Sequence, residues 1–127
     1  MKFTILYVDD ETDNLNSFKS VFRRDYNILI TESAREGLDF LTENVVHLVL
    51  TDQRMPEMTG VEFLKKIYEL FPDLPPERMI VSGYSKTKDI DEAKEKYKMS
   101  RFISKPWDHV EMKNLIDEAI GNCFSQN

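Results

Sequence analysis

The chain has 127 residues, 41% of them hydrophobic, which suits one domain with one buried core. Its formal net charge of −6 excludes a surface built mainly to hold nucleic-acid phosphates, because such surfaces need clustered Lys and Arg. No run approaches the roughly 18 consecutive apolar residues of a membrane span, and the opening MKFTILYVDD turns acidic where a signal peptide would stay apolar, so a soluble, cytoplasmic protein is expected.

In chain order, the apolar run 3–8 is too short for a helix and suits a strand buried on both faces. Leu15, Phe18 and Phe22 follow at helical spacing, and the run 28–30 is the second strand. Ser33 opens the next helix: its hydroxyl can cap the amide three residues on while Glu36 reaches back, a capping box, and Ala34, Leu38 and Leu41 form its apolar stripe. The run 47–50 is a third strand, and Val61, Leu64, Tyr68 and Phe71 mark a third helix that the Pro-rich stretch 71–76 must end. The run 79–81, the spacing of Ile90, Ala93 and Tyr97, the run 102–103, and then Val110, Ile116 and Ile120 complete the pattern. The mixed charges of 86–98 read as a solvated helix face. Residues 123–127 lose the helical pattern and read as a tail or a linker cut short, so the expected domain is 1–127 with its core at about 2–124. The single cysteine, Cys123, allows no intramolecular disulfide and is expected to have no functional role. Strict alternation of five strands and five helices implies right-handed crossovers, a parallel sheet and helices on both faces: an α/β fold, a doubly wound (βα)5 three-layer sandwich.

Ligands of such sheets bind beyond the carboxyl ends of the strands. Four strands deliver polar residues there: Asp9-Asp10-Glu11 after the first, Thr51-Asp52-Gln53 after the third, Ser82-Gly83 after the fourth and Ser104-Lys105-Pro106 after the fifth. Singly, each is an ordinary turn or helix cap; together, in order and each at a strand end, they describe a site. Asp9, Asp10 and Asp52 converging on one point would repel one another unless a cation lay among them. Oxygen ligation by carboxylates suits Mg²⁺ or Mn²⁺, whereas zinc would need a cluster of Cys and His that this chain lacks. His47 and His109 are expected to be surface or packing residues. An ionised Asp52 beside such a cation can attack a phosphoryl donor while Lys105 neutralises the transferring oxygens, and Ser82 offers a hydroxyl to them.

The segments ILYVDDE, LVLTDQRMPEMTG, VSGYS and RFISKPW resemble the receiver domains of two-component response regulators, and the resemblance runs from about residue 2 to about residue 124. It implies strand order 2-1-3-4-5, a phosphoryl group accepted on Asp52, and a metal held by Asp10, by Asp9 partly through water, by Asp52 and by the backbone carbonyl of Arg54. It further implies that Lys105 contacts the phosphoryl group, that Ser82 moves toward it, that Phe102 is the switching aromatic, and that the bond from Lys105 to Pro106 is cis. Arg54 and Tyr84 occupy the positions that tune phosphate lifetime in the family, and Tyr84 and Trp107 either line the output surface or cover the core. The motifs DQRMPEMTG, SGY and KPW are similar to those of receivers attached to hydrogenase-type transcription regulators, cyclic-di-nucleotide phosphodiesterases and hybrid sensors. Expected partners are a sensor histidine kinase or phosphotransfer protein and a downstream output domain or protein, with no direct nucleic-acid contact. A homodimer through the fourth helix, fifth strand and fifth helix is compatible with the family.

The chain departs from many relatives at 98–101, where a Gly usually precedes the last strand, so the fourth helix is expected to end without a positive-φ residue. Three rivals remain. A phosphatase with an Asp nucleophile would need an acid two residues on, where Arg54 stands, and a flavin carrier would need a Gly-rich phosphate loop where Asp9-Asp10-Glu11 stand. A pseudo-receiver that works without phosphorylation is disfavoured because the acids, Ser82 and Lys105 are all present. The chain is therefore expected to be a phosphoacceptor that assists its own modification rather than an enzyme acting on other substrates.

Overall fold

The structure, a computed structural model, describes residues 2–74, 77–83 and 87–124, without the side chains of Thr87, Asp89, Asn122, Cys123 and Phe124. Tyr84, prolines 75 and 76, the Cys123 side chain and the last three residues lie outside the described residues. Strands β1 (Thr4–Val8), β2 (Asn27–Thr31), β3 (Leu48–Thr51), β4 (Glu77–Ser82) and β5 (Met99–Ser104) alternate with helices α1 (Thr12–Phe22), α2 (Ala34–Glu43), α3 (Gly60–Leu70), α4 (Thr87–Lys96) and α5 (His109–Phe124). All pairings are parallel and the sheet order is β2-β1-β3-β4-β5, so the chain reverses direction of winding after β2 and opens a crevice beyond the ends of β1 and β3.

Strand alternation divides the interior into two layers. Ile5, Tyr7, Leu48, Leu50, Met79 and Val81 face α1 and α5, where they meet Phe18, Phe22, Met112 and Ile116. Leu6, Val8, Val49 and Ile80 face the other way, against Phe63, Leu64 and Ile67 of α3, Ala34 of α2 and Ala93 of α4. Every residue of β3 is buried, as a central strand covered on both faces requires.

Several local expectations are corrected. At α2 the Ser33 hydroxyl accepts from the Glu36 amide at 3.2 Å, but the Glu36 carboxylate accepts from the Thr31 hydroxyl instead of reaching back, so the box is half made. A complete box lies at α3, where Thr59 and Glu62 cap each other. Val110 is 58% exposed and Tyr68 39%; α5 buries Met112, Ile116, Ala119 and Ile120. Cys123 and Phe124 are helical, because α5 continues to Phe124. The turn after α4 does use a positive φ, of 61° at Lys98, whose ammonium reaches the Pro72 carbonyl at 2.9 Å. Met99, Ser100 and Arg101 belong to β5 rather than to that turn; at a sheet edge Ser100 and Arg101 face solvent, which hides the strand from a search for apolar runs.

Candidate functional site

The sheet ladder extends beyond the strands and fixes the backbone of the rim. The amide of Asp9 donates to the Thr31 carbonyl at 3.2 Å, that of Asp52 to Val8 at 2.9 Å, and that of Lys105 to Ser82 at 3.1 Å. These links bring residues from four strand ends together, with the Lys105-Pro106 bond cis as the resemblance implies. Carboxylate oxygens of Asp9, Asp10 and Asp52 all lie within 4.8 Å of one another, Asp9 and Asp52 buried and Asp10 half-buried. Lys105 completes the cluster, its ammonium 2.8 Å from Asp9 Oδ2 and 3.5 Å from Asp52 Oδ2.

Each acid is held by donors of its own. Asp9 Oδ1 accepts from the Glu11 amide at 2.9 Å, and Oδ2 accepts from the Tyr7 hydroxyl at 2.7 Å and Asn14 Nδ2 at 3.3 Å as well as from Lys105. Asp52 Oδ1 accepts from the Gln53 amide at 2.8 Å, and the Ser82 side chain, buried at the end of β4, helps to hold the Asp52 pKa down. Gln53 also builds the floor: its carbonyl accepts from the Gly60 amide at 3.0 Å and its side-chain oxygen from the Val61 amide at 2.9 Å, tying the Asp52 segment to the start of α3. Gly60 is required there, because a Cβ would sit 2.4 Å from the Asp52 carbonyl oxygen. Arg54 follows in the loop after β3 with its side chain exposed.

Burial raises the Asp52 pKa; the Lys105 charge pulls it down and the Asp9 charge pushes it up, leaving it above the ordinary aspartate value. Burial works against the Lys105 ammonium, but its hydrogen bond to Asp9 and the charges of Asp9 and Asp52 outweigh this and raise its pKa. An ionised Asp52 is thus a cost to the fold, and the sign of its pH dependence follows. The folded state binds this proton more tightly than the unfolded chain, so the penalty is largest at neutral pH and shrinks as pH falls through the folded pKa. Asp52→Asn is expected to stabilise the metal-free protein by about 1 kcal/mol at pH 7, a gain that diminishes toward pH 4. Thermal unfolding of both forms across that range checks it.

Phe102 lies half-buried on β5 opposite Ile80 and packs against the α2–α4 layer. Trp107 does not join it: its ring packs against Phe18 at 6.0 Å and Phe22 at 5.8 Å in the α1–α5 layer, so of the two roles open to it the structure gives the covering of the core. His47 is buried, its Nδ1 accepting from the Thr4 amide at 2.9 Å and its ring edge-on to Phe3, whereas His109 is exposed at the start of α5. The sequence passes over Tyr7 and Asn14 as site residues, and it places Gln53 at the rim without a role. Tyr7 was countable as one more core residue, but its position two residues before Asp9 on a strand puts the two side chains on one face and was the available signal.

Three comparisons bear on this geometry. The profile of the response regulator receiver domain matches residues 5–117. The hydrogenase transcriptional regulatory protein HoxA of Bradyrhizobium diazoefficiens is 39% identical over 117 residues, 92% of this chain; the chain spans only 24% of that regulator's length. Among solved structures, the signal receiver domain of an HD domain-containing protein from Pseudomonas fluorescens Pf-5 superposes with a TM-score of 0.90 at 25% identity, covering 99% of this chain and 100% of that one. A CheY-like response regulator receiver domain protein from Methanospirillum hungatei gives 0.88 at 28% identity, with 96% of each chain covered.

Proposed function

This chain belongs to the response regulator receiver domains, and from that premise we propose that it accepts a phosphoryl group on Asp52 and passes the change to a partner surface. The observation that supports this reading is the convergence of three carboxylates within 4.8 Å of one another, with the Lys105 ammonium 3.5 Å from the acceptor and Ser82 bonded to the Lys105 backbone at the same rim.

Three carboxylates so close, two of them buried, fit a hard divalent cation: oxygen donors only, open on the half-buried Asp10 side for retained waters. Asp9, Asp10, Asp52 and the Arg54 carbonyl would hold Mg²⁺ or Mn²⁺, which when bound neutralises charge on the phosphoryl oxygens. The protein's own part is positional. The Gln53 amide fixes Asp52 Oδ1 and leaves Oδ2, on the Lys105 side, to attack phosphorus. With a phosphohistidine of a sensor kinase or phosphotransfer protein as donor, the P–N bond breaks as the P–O bond to Asp52 forms, and the imidazole leaves with the electron pair. Lys105 and the Ser82 hydroxyl then hold the oxygens of the new acyl phosphate.

The product differs from the starting state by added negative charge at Asp52, so any conformation that draws Ser82 and Lys105 closer is favoured selectively. Phe102, beside this on β5 and only half-buried, is the side chain placed to change packing, and α4, β5 and α5 are the surface it would alter, for an output domain, an output protein or a second copy of the chain. We place the chain in the cytoplasm, where such kinases present their phosphohistidine; among the described residues no helix is long and apolar enough to cross a membrane. The test is phosphoryl transfer in vitro with Mg²⁺ and acetyl phosphate, followed by mapping of the modified side chain: Asp52 is the expected site, and a modification mapping elsewhere would contradict the reading.

A further inference from the structure

We propose that Tyr7 is a positioning residue of the acidic pocket: its phenol holds Asp9 in place so that Lys105 can be given up to an incoming cation and phosphoryl group. This deepens the acceptor reading above and rests on it. Asp9 Oδ2 is shared by the Tyr7 hydroxyl at 2.7 Å and the Lys105 ammonium at 2.8 Å, and of these donors Lys105 is the one that also lies beside Asp52, at 3.5 Å. For Lys105 to serve a phosphoryl group on Asp52 it must loosen its hold on a carboxylate that is fully buried, and a buried acceptor stripped of its donors is costly. Tyr7 stays as the nearer of the two remaining donors on Oδ2, with Asn14 Nδ2 at 3.3 Å and the Glu11 amide on Oδ1. Its ring is buried in the α1–α5 layer edge-on to Phe18 at 4.8 Å, so the hydroxyl is delivered to the rim by packing rather than by a flexible stem. An aliphatic residue at this position would fill the same layer and donate nothing. Without the phenol, Asp9 depends more on Lys105, and the ammonium competes harder with any cation for the pocket.

The test uses Mg²⁺ alone, titrated into the wild type, Tyr7→Phe, Lys105→Ala and the double variant. Binding is followed by calorimetry and by emission of Trp107, the chain's one tryptophan, which stands two residues after Lys105 and packs on Phe18 at 6.0 Å. Tyr7→Phe keeps the ring and removes only the hydroxyl. It is expected to weaken Mg²⁺ binding about tenfold, the range seen when a ligand's outer partner is removed. In the Lys105→Ala background the same change is expected to cost less than about threefold, because the competing ammonium is gone. An unchanged Mg²⁺ affinity in Tyr7→Phe would overturn the proposal, and so would the same loss in both backgrounds, which is what a merely structural role gives. A wild type that binds no Mg²⁺ by either readout would overturn the acceptor reading, and this inference with it.

Discussion

Lys105→Ala is expected to slow phosphoryl uptake from acetyl phosphate at saturating Mg²⁺ by about 100-fold, the usual cost of removing one preorganised donor from a transition state. The magnitude follows from where the ammonium sits. It is brought to the rim by the last residues of β5, its backbone amide held by Ser82, and it reaches both Asp9 and Asp52 from a half-buried position where solvent screens it little. Its removal also leaves the Asp52 carboxylate without the charge that lowers its pKa, while burial and Asp9 continue to raise it. The acid then gives up its proton at a higher pH than in the wild type, so the profile of rate against pH should shift toward higher pH. Initial rates by intact mass between pH 6 and 9 check both statements; a rate within threefold of wild type at pH 7 would remove Lys105 from the mechanism.

Gly60→Ala is expected to destabilise the fold by about 3 kcal/mol, a fall in Tm on the order of 10 °C. Helix propensity works in the opposite direction, since Ala is favoured over Gly by up to about 1 kcal/mol. It is outweighed because the new Cβ would lie 2.4 Å from the Asp52 carbonyl oxygen and 3.1 Å from Gln53 Cα, both backbone atoms that cannot rotate away. The two segments must separate, and the bonds from the Gly60 and Val61 amides to Gln53 lengthen with them. Since that segment positions Asp52, uptake should fall along with stability. Denaturant unfolding of the pair measures the cost, and an unchanged midpoint would show that the contact relaxes freely.

How much of this was legible beforehand depends on what each residue reports about its surroundings. Strands β1 and β3 lie in the sheet interior, and their unbroken apolar runs gave the parallel sheet away. β4 was read two residues short at its start because Arg78, its second residue, is a fully buried arginine, and a polar letter does not announce burial. Its guanidinium is satisfied by the Phe71 and Leu74 carbonyls of the preceding loop, each at 2.9 Å, and by the Tyr97 carbonyl at 3.3 Å, which tertiary structure brings near. β5 was read short for the opposite reason, since an edge strand shows polar residues to solvent. Lys98 adopts a φ that favours glycine, which no residue type forecasts; its ammonium on the Pro72 carbonyl accompanies that conformation.

The site was legible in its charged members because a sheet of known winding sends the strand ends to one rim, and Asp9, Asp10, Asp52, Ser82 and Lys105 all meet there. What could not be read was the bonding among them. That Asp9 is held by a phenol, that Gln53 secures α3 with its side chain, and that Glu36 prefers Thr31 to its own helix start are choices between partners of similar chemistry, settled by distances that the chain order does not contain.

The most direct measurement is the intact mass of the wild type and of Asp52→Asn after incubation with acetyl phosphate, each with and without Mg²⁺. The expected result is one added phosphoryl mass in the wild type with Mg²⁺, none without it, and none in Asp52→Asn under either condition. Equal addition to both proteins, or no addition to a folded wild type that binds Mg²⁺ and is also offered a phosphorylated histidine donor, would contradict the assignment of Asp52 as the acceptor.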